Sequence, residues 1–262
     1  MGFLRERLET IYKKYNRKEN IHPDPLEFLL LYDRPEDREI VGLIASGLAY
    51  GRVASILNST EKVLSIMGKS PCSYLKSADS SSIRADLLNF KHRFTSAGEM
   101  AALLSSLGQL QKEYGSLAYM MTELQNGVSY REALHLFVDK ILTSAGVSRC
   151  SLLPRPSLGS ACKRLHLFMR WMVRKDEVDP GGWDMIHPRD LIIPLDVHMH
   201  RAGTELGFTC RKSADRKTAE EVTDGFRRLC PEDPVRYDFA ITRLGIGGKQ
   251  RDFSTMVSKL DY

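Results

Sequence analysis

The chain has 262 residues, of which 42% are hydrophobic and 27% charged, with a net charge of +5 and a pI near 8.9. That is the composition of a folded globular protein long enough for one large domain or two lobes, and it excludes a collagenous, low-complexity or disordered chain. No uninterrupted apolar run approaches the length of a bilayer span, and the modest positive charge permits a polyanionic partner without requiring one.

Five cysteines, Cys72, Cys150, Cys162, Cys210 and Cys230, are odd in number and widely scattered. That pattern fits neither a disulfide framework nor a zinc knuckle, and no tight group suits an iron–sulfur cluster. The cysteines read as small apolar side chains of a protein in a reducing cytoplasm. The first fifteen residues form a charged amphipathic pattern (Leu4, Leu8, Ile11, Tyr15) and lack the apolar core of a secretion signal. No membrane association and no cofactor are expected.

Helix signals then recur along almost the whole chain. Asp24-Pro25 places a capping acid before a first-turn proline. Asp33 to Glu36 opens a helix carrying Ile40, Leu43, Ile44 and Leu48. Another runs from about Arg52 to Met67 and stops at Gly68, and Ser70-Pro71 begins a short one. Ser77 to Ser82 is polar and reads as a surface loop. Ser96…Glu99, Ser129…Glu132 and Thr218…Glu221 have the spacing of capping boxes. Arg149 to Gly159 and Lys175 to Gly182 look irregular. Leu191-Ile192-Ile193-Pro194 is the best strand candidate, short and closed by proline. The last helix is expected from Asp233-Pro234 through Val235, Phe239, Ile241 and Leu244 to Gly245. A polar tail, residues 247–262, is expected to be partly disordered. The whole reads as all-α, ten or more helices in two lobes: one about 36–150, the other about 1–35 plus 151–246.

Two segments carry chemistry. Along Lys163 to Lys175, at roughly 100° per residue, Lys163, His166, Arg170 and Arg174 fall within about 80° of one another, with Leu165, Phe168, Met169 and Met172 opposite and Trp171 at the border. Five Lys or Arg occur there before the first acid, Asp176. The pattern fits either a solvated basic edge or a helix beside a phosphate-binding cleft. The preceding Leu158-Gly159-Ser160-Ala161-Cys162 brings a glycine and small residues to the helix start, where backbone N–H groups can meet a phosphate oxygen.

In the second segment Asp196 follows Pro194-Leu195 and opens an apolar-periodic run, Val197, Met199, Ala202 and Leu206. An aspartate there serves as an N-cap, and a carboxylate held by N–H groups stays ionised, ready to stabilise positive charge. His198 and His200, with Asp196 and His187, suggest a metal site, but residues two apart on a helix point about 200° from each other. Only an extended backbone would let both reach one ion, so no metal is expected.

Pro194-Leu195-Asp196-Val197-His198-Met199 resembles the Pro-Val-Asp-Thr/Val-His segment of the helix–hairpin–helix DNA glycosylase superfamily, the 8-oxoguanine and endonuclease III-type enzymes. Leu158-Gly159-Ser160-Ala161-Cys162-Lys163 resembles a degenerate form of their Leu-Pro-Gly-Val-Gly-x-Lys hairpin. Ile40 to Leu57 is similar to the superfamily's early helix, and Tyr237 to Ile246 to its last core helix. The specific part is about fifteen residues, and the chain as a whole resembles a bacterial family of unknown function more closely still.

The resemblance implies a two-lobed all-α fold with a degenerate helix–hairpin–helix. Lys163 would be the nucleophile and Asp196 the catalytic acid, both facing a cleft between the lobes. DNA would be held by Gly159, Ser160, Arg164, His166, Arg170, Arg174 and His198, with Arg164 and Arg170 helping to depress the Lys163 pKa. Duplex DNA with a flipped base is the implied partner, RNA the alternative. Tyr50, Trp171, Trp183 and Phe239 are the aromatic candidates for a base pocket, each also suited to packing. The expected activity is DNA N-glycosylase with AP lyase chemistry. A non-catalytic DNA- or RNA-binding module, a metal-dependent hydrolase using Asp196, His198 and His200, and a purely structural helical protein stand as rivals.

Overall fold

The structure, a computed structural model, describes residues 2–246. It is mostly helical, with one two-stranded hairpin among the described residues. The polar tail, residues 247–262, lies outside the described residues. The chain divides into two compact units: a continuous one, His22–Ser157, and a split one formed by the residues up to Ile21 together with those from Leu158 onward.

The continuous unit begins with a 3-10 helix, Pro25–Leu31, capped by Asp24, whose side chain accepts a bond from Leu26 N. Leu26 and Leu29 are fully buried, and this stretch packs on α2, Pro35–Gly47. α2 carries two buried acids that cap other helices from outside. Asp37 accepts from Cys72 N at 2.7 Å and so closes the start of α4, Pro71–Ser77. Glu39 accepts from Leu117 N (2.7 Å) and Ala118 N (3.1 Å) and closes the start of α7, Leu117–Gln125. Each bond satisfies an N–H group that a helix terminus leaves free, which is why an acid is tolerated in this core.

Between them lie α3, Val53–Met67, which ends at Gly68 with φ +65°; α5, Ser80–Asp86; β1, Lys91–His92; β2, Thr95–Ser96; and α6, Ala97–Tyr114. Ser96 and Glu99 form a complete capping box at the start of α6. A Cβ on Gly108 of α6 would stand 2.4 Å from Leu75 O, so glycine lets α4 press against α6. α8, Tyr130–Ser144, is capped by Ser129 and closes the unit against α6 and α7. The expected loop at Ser77 to Ser82 is instead broken by a helix start: Asp79 accepts from Ser82 N at 2.8 Å and turns the serines into the first turn of α5.

The split unit joins α1, Gly2–Tyr15, to α9, Lys163–Val173; α10, Val197–Glu205; α11, Arg216–Arg227; and α12, Asp238–Ile246. α1 packs on α12, and Glu9 of α1 holds both Arg236 (2.9 Å) and Tyr237 (2.7 Å). Trp171, Trp183, Phe168, Phe226 and Tyr237 fill the core.

Three expectations are corrected here. The cap of α11 is Asp215, not Thr218; Asp215 lies three residues earlier and accepts from Thr218 N at 3.0 Å, while Thr218 donates its hydroxyl to Ser213 O. Leu191 to Pro194 forms no strand; Ile193 N is satisfied instead by Thr223 Oγ1 at 3.0 Å. The last helix starts at Asp238 rather than near Asp233, because the Asp233 carboxylate is drawn to Arg174 and the intervening residues form turns.

Candidate functional site

Gly159 to Cys162 forms a tight bend before α9. Gly159 has φ +77°, a conformation natural to glycine. Its carbonyl accepts from Arg216 N at 3.0 Å, and Ser160 bridges to Asp215, so the bend is tied to the start of α11. Cys162, the residue before α9, is left-handed at φ +46°, and its N–H donates to Ser160 Oγ at 3.2 Å. The first member of the expected hairpin pair is a single 3-10 turn, Pro156–Leu158. This geometry sets Lys163 at the first position of α9.

Asp196 caps α10. Its Oδ1 accepts from His198 N and Met199 N, both at 2.9 Å. Oδ2 is left facing Lys163, whose Nζ lies 3.7 Å away. The side chains are 38% (Lys163) and 16% (Asp196) exposed, so the pair meets solvent while its carboxylate is held from behind. Lys163 and Asp196 thus belong to one unit, each at the first turn of a different helix. Leu158 (69% exposed) and Val197 (77%), one near each, are large apolar side chains left in water.

Beyond Lys163 the basic face of α9 is not solvated. His166, Arg170 and Arg174 are buried. Arg170 donates to Asp179 at 3.2 Å and pairs closely with Asp238. Arg174 reaches Asp176 (2.8 Å) and Asp233 (3.0 Å) and pairs closely with Asp179. Burial opposes the charge of Arg174, but Asp179, Asp233 and Asp176 outweigh it and hold its pKa well above the ordinary value. His166 Nδ1 has no hydrogen-bond partner among the described residues, and burial lowers the ring's pKa to about 4. These three side chains are therefore internal, and the expectation that they contact DNA is corrected. Arg170 cannot serve as an uncompensated charge beside Lys163 either, because two aspartates already neutralise it.

The acids that accomplish this come from the irregular loop after α9, from the turns between α11 and α12, and from the start of α12. Asp238 is raised to about 6, mainly by burial, with the charges of Asp196 and Asp179 adding to the effect against Arg170. The acid cluster therefore lies within electrostatic range of Asp196. Sequence reasoning missed it: Asp176 and Asp179 just after the basic stretch were a visible signal, but Asp233 and Asp238 lie far along the chain.

Of the remaining expected site residues, Gly159 and Ser160 are exposed and Arg164 and His198 partly so. The His198 ring lies over α12, where a Cβ on Gly245 would meet Nδ1 at 2.7 Å. His200 Nε2 donates to Arg211 O at 2.8 Å. The backbone from Val197 onward is helical, not extended. No group of three or more His, Cys, Asp or Glu side chains placed to hold a metal occurs among the described residues.

Trp171 and Trp183 are fully buried and Phe239 nearly so, at 3%. Trp183 packs edge-on against Phe168 at 5.2 Å, and Phe239 lies under the Arg243 and Arg170 guanidinium groups. These three are core, not a base pocket: their area is already removed from water by neighbouring side chains. Tyr50 belongs to the continuous unit, where its hydroxyl donates to His92 O at 2.8 Å.

No helix among the described residues is long and apolar enough to cross a membrane. A protein-family model described as "Protein of unknown function (DUF2400)" matches residues 24–247, and the chain belongs to that family. Comparison with curated proteins and with solved structures gives no match.

Proposed function

Starting from membership of a family whose description assigns no activity, we propose that this chain excises a base from DNA by DNA glycosylase and AP lyase chemistry carried by Lys163 and Asp196. The observation that carries the reading is the 3.7 Å approach of the Lys163 amine to Asp196 Oδ2, with the other carboxylate oxygen fixed by two backbone N–H groups. The resemblance of both flanking segments to the helix–hairpin–helix glycosylases supports it.

In this reading Asp196 Oδ2 accepts a proton from Lys163, freeing the lone pair of Nζ. The bond between C1′ and the base nitrogen breaks, its electron pair leaves with the base, and the base takes the proton that Asp196 holds, which restores the carboxylate. Positive charge develops on C1′ and the ring oxygen, and the Asp196 carboxylate faces it. Nζ then bonds to C1′, the sugar ring opens, and a protonated imine joins Lys163 to the strand. Loss of a C2′ proton expels the 3′ phosphate and cuts the strand. Ser160 and the backbone N–H groups at the start of α9 are suited to a phosphate oxygen of the same strand.

Borohydride trapping on a panel of duplexes carrying different damaged bases tests this. Reduction of the imine fixes the protein to DNA, and the adduct is expected from the native chain and absent from Lys163→Gln. No adduct with any lesion, alongside intact DNA affinity, would assign the chain to the non-catalytic nucleic-acid-binding reading. Affinity indifferent to salt would remove phosphate contacts as well.

A further inference from the structure

The hairpin of the continuous unit holds an aromatic ring in water by a built device. Phe94, at the turn between β1 and β2, is 77% exposed. One face of its ring lies parallel to Tyr50, at 2° and 6.4 Å between centroids. Tyr50 is itself immobilised: its hydroxyl donates to His92 O and shares a 2.7 Å hydrogen bond with Thr95 Oγ1. The His92 ring packs edge-on to Tyr50 at 4.8 Å, with Nε2 donating to Tyr50 O at 3.0 Å and Nδ1 within 2.9 Å of Ser59 Oγ. Arg93 adopts φ +50°, a region non-glycine residues rarely enter. Its side chain lies along Gly51, where a Cβ would stand 2.7 Å from Arg93 Cδ, and its guanidinium sits 5.5 Å from the Phe94 ring centre.

The surroundings are cationic. Arg52, Lys91 and Arg93 are all exposed, and none pairs with a carboxylate among the described residues. Neither Tyr50 to Thr60 nor Leu87 to Gly98 contains an acidic residue. The acids bordering these segments are Glu61, exposed, Asp86, which accepts from the Tyr74 hydroxyl at 2.6 Å, and Glu99, whose oxygens are engaged by Ser96 N and Ser151 N. An exposed aromatic ring beside a hydrogen-bonded tyrosine, among cations that have no carboxylate partner, matches a partner that alternates flat π surfaces with negative charge.

We propose that Phe94 is a stacking platform for an unpaired base of a nucleic-acid strand, with Arg52, Lys91 and Arg93 meeting the adjoining phosphates. The proposal shares only the nucleic-acid partner with the excision reading and stands whether or not Lys163 forms a covalent adduct.

The test uses the full chain and short single strands, DNA and RNA of one sequence, carrying a single 2-aminopurine whose fluorescence falls when it stacks. Quenching of at least one strand by the native protein is expected. Phe94→Ala should abolish it and weaken binding about tenfold, while Phe94→Trp should retain both. Lys91→Ala and Arg52→Ala should each lower the salt dependence of binding, by about 0.7 in the log–log slope. The quench should appear on undamaged strands that give no trapped adduct, which separates this result from the fate of the trapping assay. An unchanged melting temperature in Phe94→Ala checks the fold, and Phe94→Trp supplies the comparison should that variant melt early. No quenching with either strand, or equal binding and quenching by Phe94→Ala, overturns the proposal.

Discussion

Asp196 performs two tasks that substitution can separate. As the cap of α10 it accepts two backbone N–H bonds through Oδ1, and through Oδ2 it faces Lys163. Asp196→Ala removes the cap, which costs about 1 kcal/mol, and the favourable charge at the helix start, about 0.5 kcal/mol. The Lys163 pair adds little, because Lys163 is 38% exposed and solvent screens the interaction. The expected loss is about 1.5 kcal/mol, a fall of roughly 3–6 °C in melting temperature for a protein of this size. Asp196→Asn keeps an oxygen for the cap, and asparagine caps as well as aspartate, so it should fall by about 1–2 °C. Excision should behave oppositely and vanish in both variants, because an amide neither takes the amine's proton nor faces a developing cation with charge. Thermal unfolding and borohydride trapping on the two variants provide the comparison. Equal destabilisation by Asn and Ala would show that the cap is not what Asp196 contributes to the fold, and full trapping by Asp196→Asn would remove the carboxylate from the chemistry.

The buried charges of α9 give two more outcomes. His166 is depressed from 6.5 to about 4, so its stabilising contribution is fully present above pH 6.5 and is lost as pH falls through about 4. The wild type should lose about 3 kcal/mol relative to His166→Leu across that window. The two must be compared at each pH by denaturant unfolding, since Asp238, raised to about 6, changes stability in the opposite sense over much of the same range; parallel pH profiles would place His166 in contact with water. Arg174→Met should cost about 3–5 kcal/mol, because it strands Asp176 and Asp233 without their cation and leaves buried Asp179 with Arg170 alone. A shift in denaturation free energy below about 1 kcal/mol would show that the cluster reorganises or takes up protons at little cost.

The sequence by itself determined the helical class and most helix starts and stops. Asp24, Ser96, Ser129 and Asp196 cap where their spacing says, and Gly68 ends α3. These features depend on bonds within about four residues, and such bonds are written into neighbouring positions. Tertiary structure decided which charges see water. A helical wheel places Arg170 and Arg174 on a polar face, but their partners lie as far along the chain as Asp238, and packing turned that face into an ion cluster in the core. It also decided the fate of the aromatics, burying Trp171, Trp183 and Phe239 and leaving Phe94 in solvent, since a ring's exposure depends on what distant segments lay over it. The approach of Lys163 to Asp196 is likewise tertiary: each residue's helix start is local, but the 3.7 Å between them exists only because α9 and α10 fold into one unit.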